Sequence, residues 1–274
     1  LKAESAILVE SKRGQILFEK NSTSRLHIAS ANKLMTALLA LEKAGSKLDT
    51  QVTVSKTVTT VEGSKTNLEV GGKYSLEDLI YTIILTSGND SAVALAEYVG
   101  GDVTAFVDIM NNKARELKLK DTNFTNPTGL YDEEQYTTAY DLAVLLRYAL
   151  SNPAFDRIFS SQVKVWNNQD KREVITNSNN LFWSYDGIDG GKVGYNEVER
   201  QTALTTATKN NMRLISIVLD SPEEHVYEDS IMLLDYGFNN FKTGILVKKD
   251  QTIKTISVGE DQTVDLISPI DVFY

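Results

Sequence analysis

Cysteine is absent from this 274-residue chain, which excludes disulfides, thiolate catalysis and cysteine-based metal sites. That absence does not fix the compartment. Histidine is almost absent too. His27 and His225 are the only two, so a Ser-His-Asp triad would have to use one of them, and metal catalysis is not expected. His225 follows Pro222-Glu223-Glu224, a helix start, and reads as a surface residue; His27 reads as structural. Basic charge is in deficit, with 28 Lys and Arg against 37 Asp and Glu, a net charge of −9. Nucleic-acid binding wants the opposite balance. The densest basic run, Lys113, Arg115, Lys118 and Lys120, is broken by Glu116 and reads as a solvated helix face. No apolar run approaches the length of a membrane span. No signal-peptide pattern stands at the first residues, so the chain reads as cytoplasmic or already processed. What is present is ordinary: 42% hydrophobic and 24% charged residues. The length suits one large domain, or one domain plus a smaller one, with a core that needs no covalent staples.

The pattern along the chain predicts both strands and helices. Ser5–Glu10 and Gln15–Lys20 flank Lys12-Arg13-Gly14 and read as a hairpin. A helix follows from Ser30 to near Gly45. Gln51–Val61 and Asn67–Gly72 are rich in Thr and Val with glycine breaks, predicting strands or an extended loop. Ser75-Leu76-Glu77-Asp78 resembles a capping box, and Leu76, Leu79, Ile80, Ile83 and Ile84 keep helical spacing. That helix runs into Thr86-Ser87-Gly88-Asn89-Asp90, and a second helix covers Ser91–Val99. A polar Gly-Asn break between two buried helices usually has a reason to be there. Further helices are predicted over Thr104–Leu117, from Thr138-Ala139 to Leu150 where Asn152-Pro153 stops it, and over Glu223–Phe238. Val163–Thr176 is strand-like, and Trp183–Gly191 reads as a glycine-rich loop. Val193, Thr202–Thr208 and Arg213–Leu219 read as neighbouring antiparallel strands. After Gly244 only short strands remain, near 246–248, 252–258 and 263–267. The whole predicts an α/β or α+β domain over 1–243, one sheet from both chain ends covered by helices, and the start of a small β domain over 244–274.

Ser30 and Lys33 fall within Ile28-Ala29-Ser30-Ala31-Asn32-Lys33-Leu34-Met35, where Ala, Leu and Met favour a helix. A hydroxyl and an amine one helical turn apart share a face, near N–H groups that favour negative charge. That is the arrangement of a Ser/Lys nucleophile pair. Yet a chain of this length holds about one S-x-x-K by chance, and alone the motif reads as an ordinary helix start. A second copy, Ser161-Gln162-Val163-Lys164, lies in strand-like sequence, where the two side chains would face opposite ways.

Two more motifs follow in order, Ser87-Gly88-Asn89 and Lys192-Val193-Gly194. With Leu85-Thr86-Ser87-Gly88-Asn89-Asp90-Ser91-Ala92, Asn126-Pro127-x-Gly129-Leu130, Thr138-Ala139-Tyr140-Asp141-Leu142-Ala143, Asp186–Gly194 and Met212-Arg213-Leu214-Ile215-Ser216, they resemble the serine D-alanyl-D-alanine carboxypeptidases, the low-molecular-mass penicillin-binding proteins. The resemblance runs from about Ala6 to the last residue. Ser178-Asn179-Asn180 also fits S-x-N, and Lys242-Thr243-Gly244 is a literal K-T-G. Lys192 is preferred because it precedes the hairpin Thr202–Leu219, where the family places its active-site edge strand; Lys242 reads as a surface lysine.

The resemblance implies the penicillin-binding or serine β-lactamase-like fold, an antiparallel sheet covered by helices. It implies no cofactor. The expected partners are a peptidoglycan stem pentapeptide and β-lactams, outside the cytoplasmic membrane, with peripheral membrane association through a segment absent from this chain. Ser30 would be the nucleophile and Lys33 its base, a neutral amine whose pKa burial and Lys192 push below the ~10.4 of free lysine. Ser87 would pass the proton to the leaving amine. Asn89 would hold Lys33 and a substrate amide. Backbone N–H groups of Ser30 and Tyr195 would form the oxyanion hole, and Lys192 would attract the substrate carboxylate. Five departures stand out. Val193 replaces a threonine whose hydroxyl would donate to that carboxylate, a loss of about 1.5–3 kcal/mol. Arg200 replaces a small residue, and either supplies the lost contact or points to solvent. Thr128 replaces a His, Asn32 a Thr and Ile28 a Pro. Two other readings compete. A serine β-lactamase would use a loop glutamate, for which Glu133 and Glu134 are candidates, and a non-catalytic wall-binding homologue would keep only the fold.

Overall fold

The computed structural model describes residues 1–168, 171–195, 200–259 and 262–273. Strands β1 (Ser5–Glu10) and β2 (Ile16–Lys20) form the expected hairpin. A 3₁₀ turn over Ala29–Asn32 leads into α1 (Lys33–Ala44). Next come β3 (Gln51–Thr53), α2 (Lys56–Thr60), β4 (Lys73–Ser75), α3 (Leu76–Leu85), α4 (Asn89–Gly100) and α5 (Val103–Glu116). The chain continues through α6 (Ala139–Leu150), α7 (Pro153–Phe159), β5 (Val163–Asn168), β6 (Lys171–Thr176) and α8 (Leu181–Ser184). Then follow β7 (Ile188–Tyr195), β8 (Arg200–Lys209), β9 (Met212–Pro222), α9 (Val226–Asn240) and four short strands, β10 (Ile245–Val247), β11 (Thr252–Ser257), β12 (Thr263–Ile267) and β13 (Val272–Phe273).

One five-stranded sheet joins the chain ends in the order β2-β1-β9-β8-β7, antiparallel throughout. Alternation along β1 explains its two layers. Ile7 and Val9 face the larger core with α1, α3 and α4, whereas Ala6 and Leu8 face Val226, Leu233 and Leu234 of α9. Helix α1 is buried almost all round, Leu34 through Leu41 without exception, as a helix apolar on every face must be. It packs against α3, α4, α6 and α7. Among the described residues, no helix is long and apolar enough to cross a membrane.

The structure differs from the pattern in four places. Ser30 lies in a 3₁₀ turn, and the α-helix opens only at Lys33. Within Gln51–Val61 the strand ends at Thr53 and Lys56–Thr60 is helical: Ser55 caps α2 by accepting from Val58 N at 3.5 Å, and the buried Val58 holds the turn in place. Asn152-Pro153 stops α6 but also starts α7, with the Asn152 side-chain Oδ1 accepting from Ala154 N and proline at the first turn, where its missing N–H costs nothing. Last, the glycines of 187–191 are not all loop. Gly190 and Gly191 lie in β7, where a Cβ would come within 2.5 Å of Phe159 and 2.4 Å of Asn179. Glycine there marks close approach rather than a turn.

Beyond Gly244 the strands pair among themselves, β10 with β13 and β11 with β12. Their apolar residues Ile253, Val264, Leu266 and Ile267 are exposed.

Candidate active site

Three segments far apart in sequence meet at the 3₁₀ turn. Its first residue, Ala29, has φ +46°. On one side lies Gly129, at φ +82°, where a Cβ would sit 1.9 Å from Ala29 O. On the other lies Gly194 of β7, whose Cβ would be 3.0 Å from Ser30 N. Glycine is required at Gly129, and Gly194 lets β7 come close without displacing the turn. Ser30 is thereby held at the mouth of a cavity of about 390 Å³, whose lining includes Ser87, Asn89, Thr128, Val193, Gly194 and Tyr195. A larger cleft of about 480 Å³ elsewhere, bordered by Arg147 and Arg213, contains none of the expected residues.

Lys33 points from the first turn of α1 toward Ser30, with Nζ 3.1 Å from Ser30 Oγ. Nζ donates to Thr128 O at 2.5 Å. Lys33 is fully buried. Burial first, and the nearby Lys192 second, hold its pKa well below the ordinary lysine value, because both disfavour the cation. A neutral amine with one N–H engaged by a carbonyl keeps its lone pair for a serine proton.

Lys192, on β7, is also fully buried, and its Nζ donates to Ser87 Oγ at 2.5 Å. Burial lowers its pKa to about 7. Ser87 sits between α3 and α4 at φ +63°, uncommon for a residue with a side chain. Such conformations persist only where the surroundings impose them. Asn89 opens α4 and is nearly buried. Its Nδ2 donates to Glu62 O at 2.7 Å. Lys33 Nζ bonds to Thr128 O and Ser30 Oγ, and the expected hydrogen bond between Asn89 and Lys33 is not formed. The side chain of Arg200 lies outside the described residues.

The competing motifs separate cleanly. Lys164 pairs with Asp78 at 3.2 Å, while Ser161 donates to Arg157 O. Lys242 is exposed. Asn179 is fully buried and donates to Thr205 Oγ1 at 2.9 Å, although its neighbour Ser178 reaches the cavity lining. Glu133 and Glu134 are exposed and do not line the cavity.

Sequence reasoning missed three contributors. The Thr128 carbonyl carries no side-chain signal. Gly129 stood in a quoted motif without a role. Gly63 and Ser64 line the cavity from a segment with no pattern at all.

A family model described as D-alanyl-D-alanine carboxypeptidase matches residues 1–223. The chain belongs to the D-alanyl-D-alanine carboxypeptidase family. It is 36% identical over 272 residues to the D-alanyl-D-alanine carboxypeptidase DacF of Bacillus subtilis, covering 96% of this chain and 70% of that protein. To DacA of Escherichia coli K12 it is 31% identical, covering 99% and 70%. Penicillin-binding protein 5 of Haemophilus influenzae superposes with a TM-score of 0.87 at 32% identity, over all of this chain and 82% of the other. A peptidoglycan synthesis regulatory factor (PBP3) of Streptococcus pneumoniae gives 0.89 at 28%, over 100% and 85%. Carboxypeptidase family membership makes the chain a serine hydrolase, and its fold is that of the penicillin-binding proteins.

Proposed function

We propose that this chain removes the terminal D-alanine from peptidoglycan stem pentapeptides, with Ser30 as nucleophile. The observation that carries this reading is the 3.1 Å approach of Ser30 Oγ to the buried, depressed-pKa amine of Lys33. In the first step the Ser30 hydroxyl proton passes to Lys33 Nζ as Oγ bonds the carbonyl carbon between the two D-alanines. The negative charge that develops on the carbonyl oxygen falls to the backbone N–H groups of Ser30 and Tyr195, on strands and turns locked together by Gly194. The C–N bond then breaks. Lys192 donates to Ser87 Oγ, which leaves the Ser87 proton free for the departing amine, and Lys33 resupplies it. Water attacks the acyl-enzyme, Lys33 again takes a proton, and Ser30 is regenerated.

Lys192 also attracts the free carboxylate of the substrate. Val193 cannot add a hydroxyl to that contact, so the enzyme works with one donor fewer there. A β-lactam ring would acylate Ser30 by the same first step. The substrate lies outside the cytoplasmic membrane, and we place the enzyme there. We further read residues 244–274 as the opening of a separate β-rich domain, since their strands pair only with one another among the described residues.

The test is mass spectrometry after incubation with a penicillin, beside D-alanine release from a muramyl pentapeptide. One adduct is expected, lost in Ser30→Ala, together with stoichiometric D-alanine. An adduct that survives Ser30→Ala overturns the nucleophile. Rapid turnover of the penicillin would instead make the chain a β-lactamase, and no adduct at all would make it a non-catalytic homologue.

A further inference from the structure

One wall of the cavity is formed by a segment without regular structure, Glu62 to Leu68, which brings Gly63 and Ser64 onto the lining. The start of α4 grips this segment at several points. Asn89 N donates to Ser64 O at 2.7 Å, and Asn89 Nδ2 donates to Glu62 O at 2.7 Å. The next residue, Asp90, holds the other end. Its Oδ1 accepts from Thr66 N at 2.9 Å and Thr66 Oγ1 at 2.8 Å, and its Oδ2 accepts from Leu68 N at 3.1 Å. Oδ1 also accepts from Ser91 N at 2.9 Å. Behind it, Ser91 Oγ lies 2.8 Å from Thr66 Oγ1 and accepts from Thr82 Oγ1 at 2.7 Å. Asp90 is 1% exposed and does not line the cavity.

The chemistry of this arrangement is specific. A buried carboxylate needs donors to both oxygens, and bonds to a charged acceptor are the stronger kind. The first turn of α4 favours the negative charge. Packing adds to it: a Cβ on Gly88 would lie 2.8 Å from Thr66 Cγ2, and one on Gly63 would lie 2.7 Å from Asn89 Nδ2. The segment therefore has one seat.

We propose that Asp90 is a positioning residue for this reaction: its carboxylate latches residues 62–68 to the start of α4, and the latched segment fixes the Asn89 amide with Nδ2 engaged by Glu62 O. Asn89 Oδ1 is then the amide atom left for the cavity, an acceptor suited to an N–H of a substrate peptide. The inference deepens the carboxypeptidase reading and rests on it.

Lys65, exposed on the latched segment, gives a readout independent of activity. Limited trypsin digestion of the whole chain is expected to cut after Lys65 about tenfold faster in Asp90→Asn than in the parent, with other sites unchanged, since local opening governs such cleavage. In the same variant kcat/KM for D-alanine release should fall about tenfold or more, chiefly through KM, as expected when a binding contact is lost. Thr66→Val should move both readouts the same way by less, and Thr66→Ser should restore them; this pair carries the test if Asp90→Asn does not fold. Equal resistance at Lys65 in parent and variants overturns the latch. Faster cutting with kcat/KM within twofold of the parent overturns the positioning role. Failure of the carboxypeptidase reading shows elsewhere, as an inactive parent with no penicillin adduct, and leaves the digestion result readable.

Discussion

Two lysine-glycine triplets in this chain spell nearly the same motif, Lys192-Val193-Gly194 and Lys242-Thr243-Gly244. By letters the second is the better match. By environment they have nothing in common. Lys192 is fully buried on β7, its amine on Ser87 and its pKa near 7; Lys242 lies exposed between α9 and β10. Ser30/Lys33 and Ser161/Lys164 differ too: Lys33 is fully buried beside Ser30, whereas Lys164 is partly exposed and paired with Asp78 and Glu77. Burial destabilises the cation, which suits Lys33 to act as a base and lets the titration of Lys192 fall near neutrality. A four-letter pattern does not encode burial; the sheet and helices around it do.

The sharpest way to break the comparison is to remove each lysine in turn. Lys33→Ala should slow penicillin acylation of Ser30 by about 10²–10⁴-fold, the range for loss of a general base. Lys192→Ala should do comparable damage, by releasing Ser87 and the substrate carboxylate together. Lys164→Ala and Lys242→Ala should leave the rate within about twofold, since surface changes away from such features have small effects. Stopped-flow labelling with a fluorescent penicillin reads all four. Equal losses at Lys192 and Lys242 would end the argument from burial.

Glycines give the next largest contrast. At Gly129 an added Cβ would meet Ala29 O at 1.9 Å and φ is +82°; at Gly71 φ is +77° but nothing lies within 4 Å. Gly71→Ala should cost about 1 kcal/mol through φ alone. Gly129→Ala should cost about 1–3 kcal/mol or more, and should also displace the turn that carries Ser30. Thermal melts and acylation rates together separate the two: only Gly129→Ala should lower the rate by more than its stability loss explains.

How much of this was legible beforehand follows the same line. The sheet was readable because near-continuous apolar runs at both chain ends, Ala6 to Val9 and Leu214 to Val218, demand two covered faces. Ser30, Lys33, Ser87 and Lys192 were readable because their chemistry resides in side chains. The 3₁₀ turn was not, because it is imposed by Gly129 and Gly194 from outside. The helical turn at Lys56–Thr60 was hidden by β-branched residues, whose local preference the Ser55 cap and the burial of Val58 override. The Thr128 carbonyl was illegible for a simpler reason, since every residue has one.

The pH dependence sharpens the comparison further. The proposed reaction uses Lys33 neutral and Lys192 charged. Both pKa values are lowered, Lys192 to about 7. The depressed pKa of Lys33 makes its neutral amine available; above about 7 Lys192 loses its proton and kcat/KM should fall about tenfold per unit. That limb belongs to the coupled pair rather than to a single residue. A falling limb set by a lysine in water would instead lie near the free value of ~10.4. A plateau from pH 7 to 10 would therefore remove Lys192 from the required charged groups.

The smallest expected effect tests the letter that the two triplets exchange. Val193 lines the cavity, and a threonine there would be nearly isosteric while adding one donor. A hydrogen bond to a charged carboxylate is worth about 1.5–3 kcal/mol, but part of it offsets the cost of ordering the hydroxyl, so Val193→Thr should raise kcat/KM for D-alanine release by about tenfold. Thr243→Val makes the reverse exchange in the second triplet and should leave kcat/KM unchanged, because Thr243 does not line the cavity. A gain at 193 with silence at 243 would mean that the motif is read through its position on β7. No gain at 193 would mean that the substrate carboxylate is bound elsewhere in the cavity, with the Ser178 hydroxyl on its lining the next group to remove.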